Sequence, residues 1–386
     1  MSTEPPGPGT DVAVYVHWPF CARICPYCDF NVVRARGNAD RAAGLATAIL
    51  ADLAAQADLI GTRQAASIFF GGGTPSLMDP ADVAAVIAAV RRLFPAGGPV
   101  EVTLEANPTD AEADRFAAFA AAGVNRLSMG VQALDDARLA FLGRNHSAAE
   151  ARRAVAMAAR AFPRLSIDLI HALPGQSVAD WRAALGQALD LGFEHVSPYQ
   201  LTVAQGTAFA RAVGRGDWAP PDEDLSAALY EATQETLGAA GFDAYEVSNH
   251  ARDVAARSTH NLHVWRGGDY LGVGPGAHGR LTRDGTRTAT VAHRKIDAYV
   301  AGVAAGTPWA ESAALNAVEA AEERVLLGLR TVEGVPLSVL DALPAAARPL
   351  AEMVEEGFLT VVEGRLIATA AGRPLLDAVT ARLLTA

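Results

Sequence analysis

Six short apolar runs decide what this chain can fold into. They read "VAVYVHWP", "ASIFFGGGTP", "VEVTLEANP", "VNRLSMGVQ", "RLSIDLIHALPG" and "EHVSPYQLT", and alanine-rich helical patterns such as "DPADVAAVIAAVRRLF" lie between them. Strands that alternate with helices of this length build a parallel α/β sheet with the helices outside. About six units predict a partial (β/α)6 barrel rather than a complete one, with a doubly wound sheet as the alternative. Polar or glycine residues follow each run, as "CARIC", "GGGTP", "EANP", "GVQ", "ALPG" and "YQLT". That edge, past the C-terminal ends of parallel strands, is where such folds build their sites.

Near Phe242 the rhythm stops. "FDAYEVSNHA" reads as one further strand, and "RSTHNLHVWRGGDYLGVGPGAHGR" as a structured, glycine-rich loop. The rest, from roughly Arg294, is mostly helical, and "GFLTVVEGRLIATAAGRPLLDAV" predicts a hairpin around Glu363-Gly364 followed by a helix, a winged-helix-like end. The expected organisation is a flexible tail at 1–10, a partial barrel at 11–250 and a smaller α+β domain at 251–386. The 32 Lys and Arg against 43 Asp and Glu give a net charge of −11, which argues against a nucleic-acid binder. Arg, Asp or Gly interrupts every alanine-rich run, so no bilayer-crossing stretch is expected. "MSTEPPGPGTD" lacks the basic and apolar regions of a signal peptide, so the expected setting is cytoplasmic and reducing.

All 3 cysteines fall in "FCARICPYCDFN", as Cys21, Cys25 and Cys28. In a reducing compartment thiols serve as metal ligands or catalysts more often than as disulfides. Three thiolates in one loop can reach one metal centre. Structural zinc wants four ligands. His17 offers a fourth, but the strand-like "YVHWPF" would aim it elsewhere. A cube of four irons is the other reading: three thiolates hold three irons and leave one open to a second molecule.

The spacing Cys-x3-Cys-x2-Cys resembles that of the radical S-adenosylmethionine (SAM) enzymes. "YVHWPFCARICPYCDFN", "FFGGGTPSL", "LEANP", "NRLSMGVQ", "LGRNH", "SIDLIHALPGQ" and "YEVSNHA" together resemble the coproporphyrinogen-oxidase-like HemN/HemW branch over nearly the whole chain. The resemblance implies a radical SAM partial barrel followed by a HemN-type C-terminal domain. It also implies a [4Fe-4S] cluster on Cys21, Cys25 and Cys28 whose open iron takes the amino and carboxylate groups of SAM. In that family an electron from the cluster cleaves SAM to a 5′-deoxyadenosyl radical. By motif, Gly72, Gly73 and Thr74, with Gly71 beside them, would meet the SAM amino group. Glu105, Gln132, Arg144 and Asp168 would bond its ribose, adenine or carboxylate, and Tyr15 and Tyr27 would flank it. An acidic group suits ribose hydroxyls and a guanidinium suits a carboxylate.

"HNLHVW" resembles the HNxxYW motif of the heme-chaperone branch, with His260, Asn261 and Trp265 matching and Val264 in place of Tyr. His260 is therefore a candidate heme ligand and His263 a second. The alternative is that His260 and Asn261 brace the loop by hydrogen bonds. Phe30 stands two places after Cys28, where the oxidases resemble Cys-x3-Cys-x2-Cys-x-Cys, and the cluster loop begins as early as Cys21. Both features point to a heme chaperone, without coproporphyrinogen III dehydrogenase activity, over an oxygen-independent coproporphyrinogen III oxidase. A radical SAM enzyme on another substrate is the third reading. No residue is singled out as catalytic. The implied partners are heme, apo-haemoproteins and a reductant such as flavodoxin or ferredoxin. Nucleic acid is not among them, and peripheral contact with membrane-bound haemoproteins and homodimerisation stay open.

Overall fold

In the computed structural model residues 10–385 are described. All but the last residue of the expected 1–10 tail lies outside them. Six strands alternate with helices as the apolar runs predict: β1 (Asp11–Trp18), α1 (Ala39–Ile60), β2 (Gln64–Gly72), α2 (Pro80–Leu93), β3 (Glu101–Ala106), α3 (Phe116–Ala122), β4 (Arg126–Gln132), α4 (Ala148–Ala161), β5 (Arg164–His171), α5 (Val178–Leu189), β6 (His195–Gln200) and α6 (Glu223–Ala239). The strands pair in sequence order, all parallel. Four of the six helices named start on a short polar side chain that caps them, Asp79 for α2, Ser147 for α4, Ser177 for α5 and Asp222 for α6, the two serines as capping boxes.

Buried parallel strands usually read as apolar on both faces. These do not. On one face Val14, Ile68, Leu104, Leu127, Ile167 and Val196, all fully buried, pack under the helices. The other face carries Tyr15, Ser67, Phe69, Glu105, Ser128, Asp168 and Ser197, which the register sets side by side on neighbouring strands. Side chains alternate across a strand, so one row meets the helix shell and the other lines the interior of an open barrel.

Past α6 the structure departs from two expectations. "FDAYEVSNHA" is a hairpin, not one strand: β7 (Asp243–Glu246) and β8 (Asn249–Ala251) run antiparallel, with β8 on β6. The Glu246 carboxylate accepts from Ser248 N at 2.9 Å and Asn249 Nδ2 at 2.8 Å and so holds the reversal. The glycine-rich stretch is not a loop. It forms α7 (Thr259–Trp265), β9 (Asp269–Val273) and β10 (His278–Arg283). β9 pairs parallel to β1 on the edge away from β2. After β10 come β11 (Thr286–Ala292), α8 (Ile296–Ala304) and β12 (Trp309–Ala314), and β10 to β12 extend the sheet antiparallel. One 12-stranded open sheet results, in the order β12-β11-β10-β9-β1-β2-β3-β4-β5-β6-β8-β7. The boundary expected at residue 250 therefore falls inside a continuous sheet.

A second hydrophobic cluster runs from Ala321 to Leu383. It joins α9 (Ala317–Gly328), α10 (Ala347–Glu355), the hairpin of β13 (Leu359–Val362) and β14 (Arg365–Ala368), and α11 (Leu376–Leu384). That is the helix–hairpin–helix end foreseen around Glu363-Gly364. The expected lack of a bilayer-length apolar stretch needs correcting. α1 has 22 residues, an apolar window of mean hydropathy 1.4, and half of that window buried. Leu45, Ile49, Leu53 and Ile60 pack into the main core, and Asp52 accepts from Tyr299 Oη at 2.6 Å, so α1 serves here as a core helix.

Candidate functional site

The cysteine loop follows β1 directly, and its 3 thiols are free. Cys21, Cys25 and Cys28 line one cavity of about 460 Å³ at the C-terminal edge of the sheet. Tyr27, Gly72, Gly73, Thr74, Glu105, Gln132, Arg144 and Asp168 line it too. Residues from six segments that sequence motifs grouped thus meet in space. Among the described residues no three His, Cys, Asp or Glu side chains sit together as ligands of a single ion. A cluster takes each thiolate on a different iron, so it does not ask three thiols to meet at one ion. Burial pushes the Cys21 thiol up to about 11, with the Thr74 hydroxyl opposing the shift, so binding a metal there would release a proton.

The residues around the thiols fit a small polar cofactor. In "GGGTP" the Gly73 and Thr74 amides are taken up by Trp18 O and Phe20 O, at 2.8 and 2.9 Å. What remains for a ligand is carbonyl oxygen, an acceptor suited to an ammonium. Gly72 has φ of 106°, and a Cβ there would stand 2.5 Å from the His17 ring. At Gly73 a Cβ would stand 2.8 Å from Phe20 O. Neither position accepts a side chain. Arg144 donates from Nη1 to Cys25 Sγ at 3.5 Å and Tyr27 Oη at 3.4 Å, and from Nη2 to Gly130 O at 2.9 Å and to Asn107 Oδ1. Its Nε is buried with no hydrogen-bond partner among the described residues. Gln132 has a φ of 65°, rare for a residue with a Cβ, and its buried Oε1 also has no partner among the described residues. Strain and unmet hydrogen bonds of this kind gather at ligand sites.

Two carboxyls share the polar face. Burial raises Glu105 to about 8, and the neighbouring Asp168 adds to the shift. Burial raises Asp168 to about 6, against hydrogen bonds from Ser197 and Ser128. Side chains held this way can meet hydroxyls as donor or acceptor, or turn anionic beside a cationic guest.

Tyr15 and Gly71 do not line this cavity. A Cβ at Gly71 would meet the Tyr15 and Phe69 rings at 2.9 Å, because β1 and β2 turn that corner of the sheet toward a second, larger cavity. The larger cavity, about 760 Å³, is walled by Tyr15, Phe69, His260, Val264, Trp265 and Tyr270, with Asp29, Phe30, His278, Arg294 and Glu311 also on its lining. Asp29, Phe30, Gly72 and Glu105 line both cavities and form their shared wall. His260 is only 6% exposed, and burial lowers it to about 3, so its imidazole is neutral. His263 is elsewhere: its Nε2 donates to Asp269 O at 2.8 Å. His17, as its strand implies, is no thiolate partner. Its Nε2 donates to Asn31 O at 2.9 Å, and its Nδ1 accepts from Tyr15 Oη at 3.1 Å.

Sequence reading missed Asn107, Tyr199, Phe69 and His278. The alternation of polar residues in "SIFF" and "SPYQ" marks Phe69 and Tyr199 as lying on the inner row. No local signal marks His278, which reaches the cavity only because β10 folds back along β9.

The sequence profile of the Radical SAM superfamily matches residues 15–188, and that of the HemN C-terminal domain matches residues 315–375. The chain is 42% identical over 398 aligned residues to Radical S-adenosyl methionine domain-containing protein 1, mitochondrial, of Bos taurus, covering 99% of this chain and 89% of that one. It is 39% identical to Heme chaperone HemW of Mycobacterium tuberculosis, covering 98% of this chain and 96% of the other. Its fold matches the coproporphyrinogen III oxidase HemN of Escherichia coli with a TM-score of 0.82 at 22% identity, over 98% of this chain and 91% of that one. Membership of the superfamily implies a [4Fe-4S] cluster and SAM. With its cysteine loop, open six-unit barrel and C-terminal helix–hairpin domain, the chain belongs to the HemN/HemW family of radical SAM proteins.

Proposed function

We propose that this protein is a heme chaperone, which takes heme as cargo into the larger cavity and passes it to apo-haemoproteins in the cytoplasm. The observation that carries this reading is the cavity itself: about 760 Å³, walled by rings, and lined by the neutral imidazole of His260. A neutral imidazole ligates heme iron, and an aromatic wall suits a flat macrocycle. The naming of its relative of 39% identity as a heme chaperone supports it.

The smaller cavity would hold the cluster and SAM. Cys21, Cys25 and Cys28 would be the iron ligands. When bound, such a cluster supplies single electrons. Arg144 would meet a carboxylate, the "GGGTP" carbonyls an ammonium, and Glu105 with Asp168 the ribose hydroxyls. Phe30 stands where the oxidase pattern has a further cysteine, which favours the chaperone over a coproporphyrinogen III dehydrogenase. The fold match to HemN keeps the dehydrogenase as the second reading. A flavodoxin or ferredoxin would serve as electron donor.

One anaerobic preparation tests both. Hemin titration should give a saturating Soret band that shifts in His260→Ala. Reduced protein with SAM and coproporphyrinogen III should give no vinyl product. Vinyl product, or a hemin spectrum that never saturates, would overturn the chaperone reading.

A further inference from the structure

His260 is not held by its own helix alone. Its Nδ1 lies 2.9 Å from Ser67 Oγ, on β2, and Ser67 is fully buried. Ser67 makes no other side-chain hydrogen bond among the described residues. The His260 backbone N–H donates to Glu101 Oε1 at 3.0 Å, and Thr259 N–H donates to Glu101 Oε2 at 3.1 Å. Arg164 Nη1 pairs with the same carboxylate at 2.6 Å. The Phe69 ring, its centroid 4.9 Å from that of His260, closes one side. Nδ1 therefore faces buried strand, while the ring lines the larger cavity and Nε2 has no hydrogen-bond partner among the described residues.

We infer that Ser67 is the positioning residue for His260: it accepts the Nδ1 proton, so that Nε2 presents an open lone pair to a metal in the cavity. The inference rests on reading that cavity as the heme site. A ligating histidine commonly gives its second ring nitrogen to a fixed acceptor, which sets the tautomer and the ring plane. The Glu101 carboxylate holds the Thr259 and His260 amides and so fixes the turn of helix from which the ring reaches Ser67. A serine on β2 does this well because the strand pairs on both edges, with β1 and β3, and so cannot drift.

The test uses the full chain without heme, labelled with 15N at histidine. His260→Ala assigns the His260 signals among the 9 histidines. The wild type should show a protonated Nδ1 and an unprotonated Nε2. Ser67→Ala should shift that population towards Nε2–H, and Ser67→Thr, which keeps the hydroxyl, should restore it. Hemin affinity should fall roughly 10- to 100-fold in Ser67→Ala and recover in Ser67→Thr. Nε2–H as the dominant wild-type form, or a tautomer unmoved by Ser67→Ala, would overturn the inference. The underlying reading is judged apart from this. Hemin spectra unchanged in His260→Ala would remove the ligand role itself, whatever the tautomer shows.

Discussion

At the residue scale the two groups of side chains that matter most are the thiols and the buried carboxyls. Cys21, Cys25 and Cys28 line one cavity, and each takes a different iron in the cluster reading. Anaerobic reconstitution should give about four irons per chain, and Cys25→Ser should lose the cluster's visible absorbance; unchanged iron in that variant would refute the ligand set. Glu105 sets a pH dependence. Its folded pKa of about 8 lies above its ordinary 4.5. Below 4.5 it is protonated folded or unfolded and costs nothing. Between 4.5 and about 8 the unfolded chain releases the proton and the folded chain keeps it, so stability falls as pH rises through that window. Glu105→Gln should therefore raise the melting temperature of cofactor-free protein at pH 8, by the equivalent of about 2 kcal/mol, and change it little at pH 4.5. The discount from the full shift reflects the carboxyl's opening on a wet cavity.

At the element scale, local chemistry explains most boundaries. The turn between β13 and β14 places Glu363 at φ of 50° and Gly364 at 72°, the paired left-handed geometry of a two-residue hairpin. Gly364→Ala should cost about 1 kcal/mol of stability, read as a lowered urea midpoint. A midpoint within error of the wild type would show that the turn relaxes freely. The hairpin was legible because its glycine sits between two apolar runs. The β7–β8 reversal was not, because "EVSN" has neither glycine nor proline and depends on the Glu246 carboxylate for its hydrogen bonds. α7 hid in the same way. Its N-cap, Ser258, accepts from Asn261 N at 3.3 Å, but seven residues make too short a helix to show a period beside so many glycines.

At the scale of the whole molecule, the C-terminal cluster is stitched to the barrel through β7. Val247 N donates to Arg330 O and Val332 N to Tyr245 O, each at 3.1 Å, and Arg330 pairs with the fully buried Glu246 carboxylate. Breaking a buried pair by removing one partner strands the other charge. Arg330 is 37% exposed, so Arg330→Met should cost about 2 kcal/mol rather than the full buried-pair figure. Chemical denaturation checks it, and an unshifted midpoint would show that water already screens Glu246. The shared wall of Asp29, Phe30, Gly72 and Glu105 is likewise a property of the whole molecule.

The six β–α units, the thiol loop and most of the polar residues around it were determined by sequence alone, since strand period, helix period and motif spacing are local. That His260 and not His263 lines the larger cavity, the transfer of Tyr15 to that cavity, and the use of most of residues 269–314 as sheet were decided only by tertiary structure. β9 pairs with β1 in the register Val12↔Asp269. No local pattern carries a partnership across so much chain; it is settled by which edge of the sheet can bury Leu271 and Val273 against the α1 side of the core.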